Sequence, residues 1–147
     1  MNQATSSVDS ETGRHPASGW WPVILWCALI FTLSTSAFSA ANTDRVIDPI
    51  VRFFMPGISP ASLAITHMLA RKSAHFTEYG ILFWLLVRGP MAGRPYTALA
   101  VCVAYAMLDE CHQIFVPGRT PSLYDVALDS TGALFSRFLN AAISEVA

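Results

Sequence analysis

The sequence predicts an all-α fold, an integral membrane antiparallel bundle of about four transmembrane helices with one short interfacial helix. Three observations predict it. First, the 147-residue chain is 53% hydrophobic and only 13% charged, with a mean hydropathy of +0.44. Soluble domains carry nearer a quarter charged residues. Second, long apolar runs alternate with short segments rich in Pro, Gly and Ser, which punctuate helices. Third, the ionisable residues inside the runs recur at helical spacing, each on one face. The length suits one domain. A net charge of −1 offers no footprint for nucleic acid. Cys27, Cys102 and Cys111 are odd in number and have no metal-ligand spacing, so they read as small packing residues.

The elements follow in order. Residues 1–18 are polar and without periodicity, and read as a disordered tail ahead of a transmembrane domain over 19–143. Trp20 to about Phe38 forms the first apolar span, anchored at one interface by Trp20 and Trp21. Ser39-Ala40-Ala41 resembles a signal-peptide cleavage site, but the tail has only Arg14 as a basic charge, which favours a retained helix. In 42–55, Val46, Ile47, Ile50, Val51 and Phe54 fall on one face and Asp44, Arg45, Asp48 and Arg52 elsewhere, the pattern of an interfacial helix. Pro56-Gly57 ends it. Ser59-Pro60 supplies a cap and first-turn pair for a long helix reaching about Val87. Gly89-Pro90 and Gly93 make a short loop, and Pro95 opens a helix that ends near Phe115. Val116-Pro117-Gly118 is a turn, and Ser122 caps a last helix to about Asn140. Loop 88–94, with two arginines and no acid, favours both termini in the cytoplasm and a multi-pass protein of the inner (cytoplasmic) membrane.

The polar residues converge. At 100° per residue, Arg71, Lys72, His75, Glu78, Tyr79 and Leu82 share one arc of the second long helix, with Met68 beside them. Asp109, Glu110 and Gln113 share an arc of the third with Cys102 and Ala106. Asp125, Asp129, Gly132 and Ser136 form a stripe on the fourth, where small residues permit close helix approach. At 1.5 Å per residue, Glu78 lies about 14 Å from its helix end at loop 88, Asp109 about 21 Å from Pro95, and Asp129 about 10 Å from Ser122. All therefore fall in the half of the bundle nearest loop 116–122, where Arg119 leans over them. With cytoplasmic termini this pocket opens outward. Each charge placed near a bilayer centre costs roughly 2.5–3.5 kcal/mol on insertion scales, so three helices with such residues point to one shared buried site.

Arg71, Lys72 and Arg119 oppose Glu78, Asp109, Glu110, Asp125 and Asp129, a formal net of −2 that protonating His75 and His112 would cancel. Plainer roles exist for several of them. Asp125, three after Ser122, completes a capping box. Arg71 and Lys72 snorkel to the interface. Glu110 and His112 face an aqueous rim, and Tyr79 packs. His75, Glu78, Asp109 and Asp129 lie deepest; their plain role is a structural hydrogen-bond network. A metal centre of His75, Glu78, Asp109 and His112 lacks a strong ligand signature, and no metal or other cofactor is expected.

Several of these segments together resemble the VanZ-like family of small membrane proteins. They are Arg71-Lys72-Ser73-Ala74-His75-Phe76-Thr77-Glu78-Tyr79-Gly80, Tyr105 with Asp109-Glu110-Cys111-His112-Gln113, Val116-Pro117-Gly118-Arg119-Thr120, and Asp125, Asp129 and Gly132. Phe31-Thr32-Leu33-Ser34 also fits. The resemblance covers roughly residues 20–140, with an added N-terminal tail and with Asp129 where an asparagine is also familiar. It implies a multi-helix membrane protein of the cell envelope, related to one associated with low-level resistance to the glycopeptide antibiotic teicoplanin.

Three functions fit these residues. In the first, an enzyme acts on a lipid-linked envelope precursor: His75, Glu78, Asp109 and Asp129 perform the catalytic work, and Arg71, Lys72, Glu110, Gln113, Arg119 and Asp125 bind the substrate. In the second, the pocket binds a headgroup or drug and shields the surface without chemistry. The third is a proton-coupled transport component, which with four helices needs a homo-oligomer. Membrane lipids or lipid-linked precursors are the expected partners, and nucleic acid is not.

Overall fold

A computed structural model describes residues 19–35, 40–117 and 121–146. They form five helices and no strand: α1 (Trp20–Leu33), α2 (Ala40–Phe54), α3 (Pro60–Arg88), α4 (Pro95–Gln113) and α5 (Leu123–Val146). The expected tail over 1–18 lies outside the described residues.

The boundaries follow local chemistry. Ser59 Oγ accepts the backbone N–H of Ser62, and Pro60 occupies the first turn, where its missing N–H costs nothing. Gly93 adopts φ +74°, a left-handed conformation that lets the chain reverse between α3 and α4. Pro95 then starts α4. Ser122 Oγ accepts the Tyr124 N–H at the start of α5. The last helix extends to Val146, beyond the Asn140 stop expected from the sequence. Its end, Ala141–Glu145, is exposed, with Ile143 among the apolar side chains at the surface.

Pairings along the helices fix their directions. Gly19, just before α1, lies against Gly89, just after α3, and Trp26 Nε1 donates to the Glu78 carbonyl at 2.9 Å, so α1 and α3 are antiparallel. Tyr105 donates to the Cys27 carbonyl at 2.7 Å and Phe31 stacks on His112 at 4.3 Å, which sets α1 parallel to α4. Gly132 meets Phe76, and Ser136 meets Gly80, so α3 and α5 run parallel. α1, α3, α4 and α5 therefore alternate up and down. The amphipathic α2 is tied to α3 by His67 Nε2 and Asp48 Oδ1, 2.6 Å apart.

Tyr79, Leu82, Phe83 and Leu86 of α3, Ala98, Cys102 and Ala106 of α4, Val126 and Ala133 of α5, and Ile30 of α1 make the core. The α3–α5 contact is the tightest. A Cβ on Gly132 would stand 2.1 Å from the Phe76 carbonyl oxygen, so only glycine allows this approach. The sequence stripe that placed Gly132 toward a neighbour is realised here. Gly80 joins it at this crossing.

No helix among the described residues is long and apolar enough to cross a membrane. The reasons are visible in the sequence. The apolar α1 has 14 residues, about 21 Å. The longer α3, α4 and α5 each carry charged residues within their length. The outer surface is nonetheless rich in large apolar side chains, among them Leu25 (72% exposed), Leu108 (63%) and Phe138 (60%).

Candidate functional site

α3, α4 and α5 bring their acids together with one histidine. His75 Nδ1 lies 3.7 Å from Asp129 Oδ1 and 3.9 Å from Glu78 Oε2, so one imidazole nitrogen stands between carboxylates of two helices. Asp129 is fully buried, and neither of its carboxylate oxygens has a hydrogen-bond partner among the described residues. Asp109, Glu110, Asp125 and Glu78 all lie within electrostatic reach of it. The Tyr79 hydroxyl is buried beside the same acids, also without a hydrogen bond among the described residues. Buried polar atoms are nearly always bonded, so several orphans in one place need an explanation.

Asp109 is better served on one side. Its Oδ2 accepts from Ser34 Oγ at 2.8 Å and from Gln113 Nε2 at 3.1 Å, while Oδ1 is buried without a bond among the described residues. Ser34, at the end of α1, is 1% exposed. The first helix thus reaches the polar cluster, which its lack of charge did not disclose. Gln113 faces inward as part of the protein's own network. Glu110 does likewise: its Oε2 accepts the Ser122 backbone N–H at 2.7 Å and so caps α5 from α4.

The capping box expected between Ser122 and Asp125 does not form, because Glu110 takes the backbone N–H it needs. Asp125 Oδ1 instead accepts from Lys72 Nζ at 2.5 Å, and the ammonium also sits 4.9 Å from the Tyr124 ring centre. This pair is about one-third exposed and stands at the rim. Arg71 is half-buried and makes no ion pair among the described residues. Met68, expected on the same arc, is 43% exposed. Arg119 lies outside the described residues. His67, unremarked in the sequence, is buried and paired with Asp48, away from the acids.

Two clefts flank α1. One, of about 390 Å³, lies over Trp26, Ser73, Thr77 and Glu78. The other, of about 350 Å³, is lined by Phe31, Tyr105, Leu108, Asp109, Cys111, His112 and Phe115. A group of three or more His, Cys, Asp or Glu arranged to hold a metal ion is absent among the described residues. The arrangement sets three titratable groups together, His75 within ion-pair distance of both Glu78 and Asp129, with the Lys72–Asp125 pair at the rim.

The sequence pattern of the VanZ/LLP1 family matches residues 20–142. The chain belongs to the VanZ/LLP1 family. No curated protein and no solved structure matches it. The family match spans α1 to α5 and includes His75, Glu78, Asp109, Asp129 and the Lys72–Asp125 pair. In this VanZ/LLP1 chain the acids are therefore part of the family segment and not of the N-terminal addition.

Proposed function

We propose that this VanZ/LLP1 protein is a multi-pass protein of the inner membrane that performs proton-transfer chemistry on the headgroup of a lipid-linked envelope substrate. The membrane placement is supported by the surface of α1. That helix is apolar on all sides, yet Trp21, Ile24, Leu25 and Leu29 are 41–72% exposed. A helix apolar all round requires apolar surroundings, either protein or lipid. Similar exposure on α3, α4 and α5 extends the apolar surface around the bundle, well beyond the scattered residues of a soluble monomer.

The observation that carries the chemistry is the His75 nitrogen between Asp129 and Glu78. A cluster with a purely structural role would satisfy its oxygens, and Asp129 does not. In this reading His75 takes the proton from a substrate hydroxyl or gives it to a leaving oxygen. Glu78 and Asp109 share that proton, and Asp129 holds the imidazole. Arg71, Lys72 and Arg119 receive a phosphate or carboxylate, with Asp125 orienting Lys72. Positioned acid–base catalysis contributes typically 10²–10⁴-fold. Relation to a teicoplanin-resistance protein fits an envelope substrate.

A second reading, headgroup or drug binding without chemistry, draws on the Lys72 ammonium at the partly exposed rim, which a stronger anion would have to win from Asp125. The two separate on conservative substitutions. Glu78→Gln and His75→Gln should abolish function at normal abundance if protons move, and should act mildly if the site only binds. Full function in both variants would overturn the catalytic reading.

A further inference from the structure

The cleft between α1 and α4 adjoins the proton cluster at Asp109 and adds residues that the cluster does not use. Its walls are Phe31, Tyr105, Leu108 and Phe115, and its floor carries Asp109 and His112. Each of these two lining residues has one side-chain atom, Asp109 Oδ1 and His112 Nδ1, that is buried without a hydrogen bond among the described residues. Asp109 as a whole is 3% exposed. The two residues are three apart on α4 and therefore neighbours on one helix face. The other oxygen of Asp109 is held by Ser34 and Gln113, which fixes the direction in which Oδ1 presents itself. The mouth of the cleft is apolar, with Phe31 47%, Leu108 63% and Phe115 82% exposed. At about 350 Å³ it falls within the range of roughly 300–1,000 Å³ usual for small-molecule sites.

We infer that this cleft is a lateral binding site for a single apolar chain ending in a hydroxyl group. A hydroxyl answers both orphan atoms: its O–H donates to Asp109 Oδ1, and its oxygen accepts from His112 Nδ1 in the Nδ1–H tautomer. An ether oxygen has no proton for the carboxylate, and an ammonium has no lone pair for the imidazole. The chain lies between Phe31, Leu108 and Phe115 and leaves the protein through the exposed apolar mouth. The larger groove between α3 and α5, about 440 Å³, is lined mainly by apolar residues such as Phe76, Trp84, Phe135 and Leu139, with Thr77, Ser136 and Asn140 among them. None of its lining residues has a buried side-chain atom left without a hydrogen bond among the described residues. The inference rests on the proposed membrane placement and on Asp109 belonging to the site. It adds the class of molecule and its route of entry: sideways from the apolar surroundings, beside α1.

Photolabelling of the full-length protein in phosphatidylcholine vesicles tests this. The probes are a diazirine-bearing hexadecanol, its methyl ether, and a diazirine-bearing farnesol, with labelled peptides located by mass spectrometry. The alcohols should label peptides containing Phe31 and Leu108 to Phe115. Asp109→Asn, which keeps an acceptor for Ser34, should reduce that labelling on the order of tenfold, the worth of a hydrogen bond to a charged group. The methyl ether should label the wild type at the reduced level. Leu108→Trp, at an exposed wall, should block labelling by filling the cleft without touching a polar group. Whichever alcohol shows the stronger Asp109-dependent labelling supports the site and identifies its chain as straight or isoprenoid. Equal labelling by alcohol and ether, indifference to both substitutions, or labelling confined to the α3–α5 groove would each overturn the inference. Labelling requires no turnover, so a negative result here leaves the proton chemistry to be judged on envelope composition, and the reverse also holds.

Discussion

Replacing Gly132 by alanine should disturb both the fold and the site, and the structure gives the size of the effect. The added Cβ would stand 2.1 Å from the Phe76 carbonyl oxygen and 2.9 Å from its carbonyl carbon. Ordinary contact begins at 3.4 Å, so α3 and α5 must separate by about 1.3 Å, the difference of the two distances. Both obstructing atoms are helix backbone, and no side chain can swing aside. His75 adjoins Phe76, and Asp129 is three residues before Gly132, so their 3.7 Å approach opens toward 5 Å. Overpacking of this kind costs about 1–3 kcal/mol, against roughly 0.5–1 kcal/mol gained by alanine over glycine within a helix. The net expectation is a loss of about 1–2 kcal/mol, together with loss of function. Gly80→Ala is the internal control. Its Cβ would meet the Gly132 carbonyl oxygen at 3.4 Å, an ordinary contact, so the helix gain should leave stability unchanged or slightly raised. Thermal unfolding of both variants in one detergent, followed by tryptophan fluorescence, measures the difference. A Gly132→Ala protein as stable as Gly80→Ala would refute the close crossing and the positioning argument built on it.

Three further outcomes follow from single contacts. Ser34→Ala removes a donor from the buried Asp109 and should destabilise the fold by about 1–3 kcal/mol, seen in the same unfolding assay; a neutral result would remove α1 from the site. Glu110→Gln weakens the acceptor that caps α5, so hydrogen exchange at the Ser122 amide should quicken while the α4 core stays protected. The Lys72–Asp125 pair is one-third exposed, so a double-mutant cycle with Lys72→Met and Asp125→Asn should return no more than about 1 kcal/mol of coupling in stability, and a larger value would make the rim a structural strut.

Much of this architecture was legible because it is local. Ser59-Pro60, Pro95 and Ser122 each mark a helix start by chemistry that needs no neighbour. The amphipathic pattern of 42–55 marked α2. Helical periodicity alone placed Asp109, Glu110, Gln113, Cys102 and Ala106 on one face, and all five are buried. Periodicity could not say what each buried group meets. Glu110 and Asp125 were both given roles by their own helices, yet each finds its partner on another, Ser122 and Lys72. Ser34 was hidden because a serine at the end of an apolar run has no charge to betray it, and its value depends on an aspartate 75 positions away. The His67–Asp48 pair was hidden for the same reason, since it depends on how α2 folds back on α3.

The most direct test of the central claim is a mass-spectrometric comparison of envelope lipids and muropeptides. It uses a deletion strain complemented with the wild-type protein, the Glu78→Gln variant or an empty vector, at matched abundance. Proton-transfer chemistry at the buried acids predicts at least one lipid-linked species that changes with the wild-type protein and with neither control. Identical profiles in all three strains would contradict it.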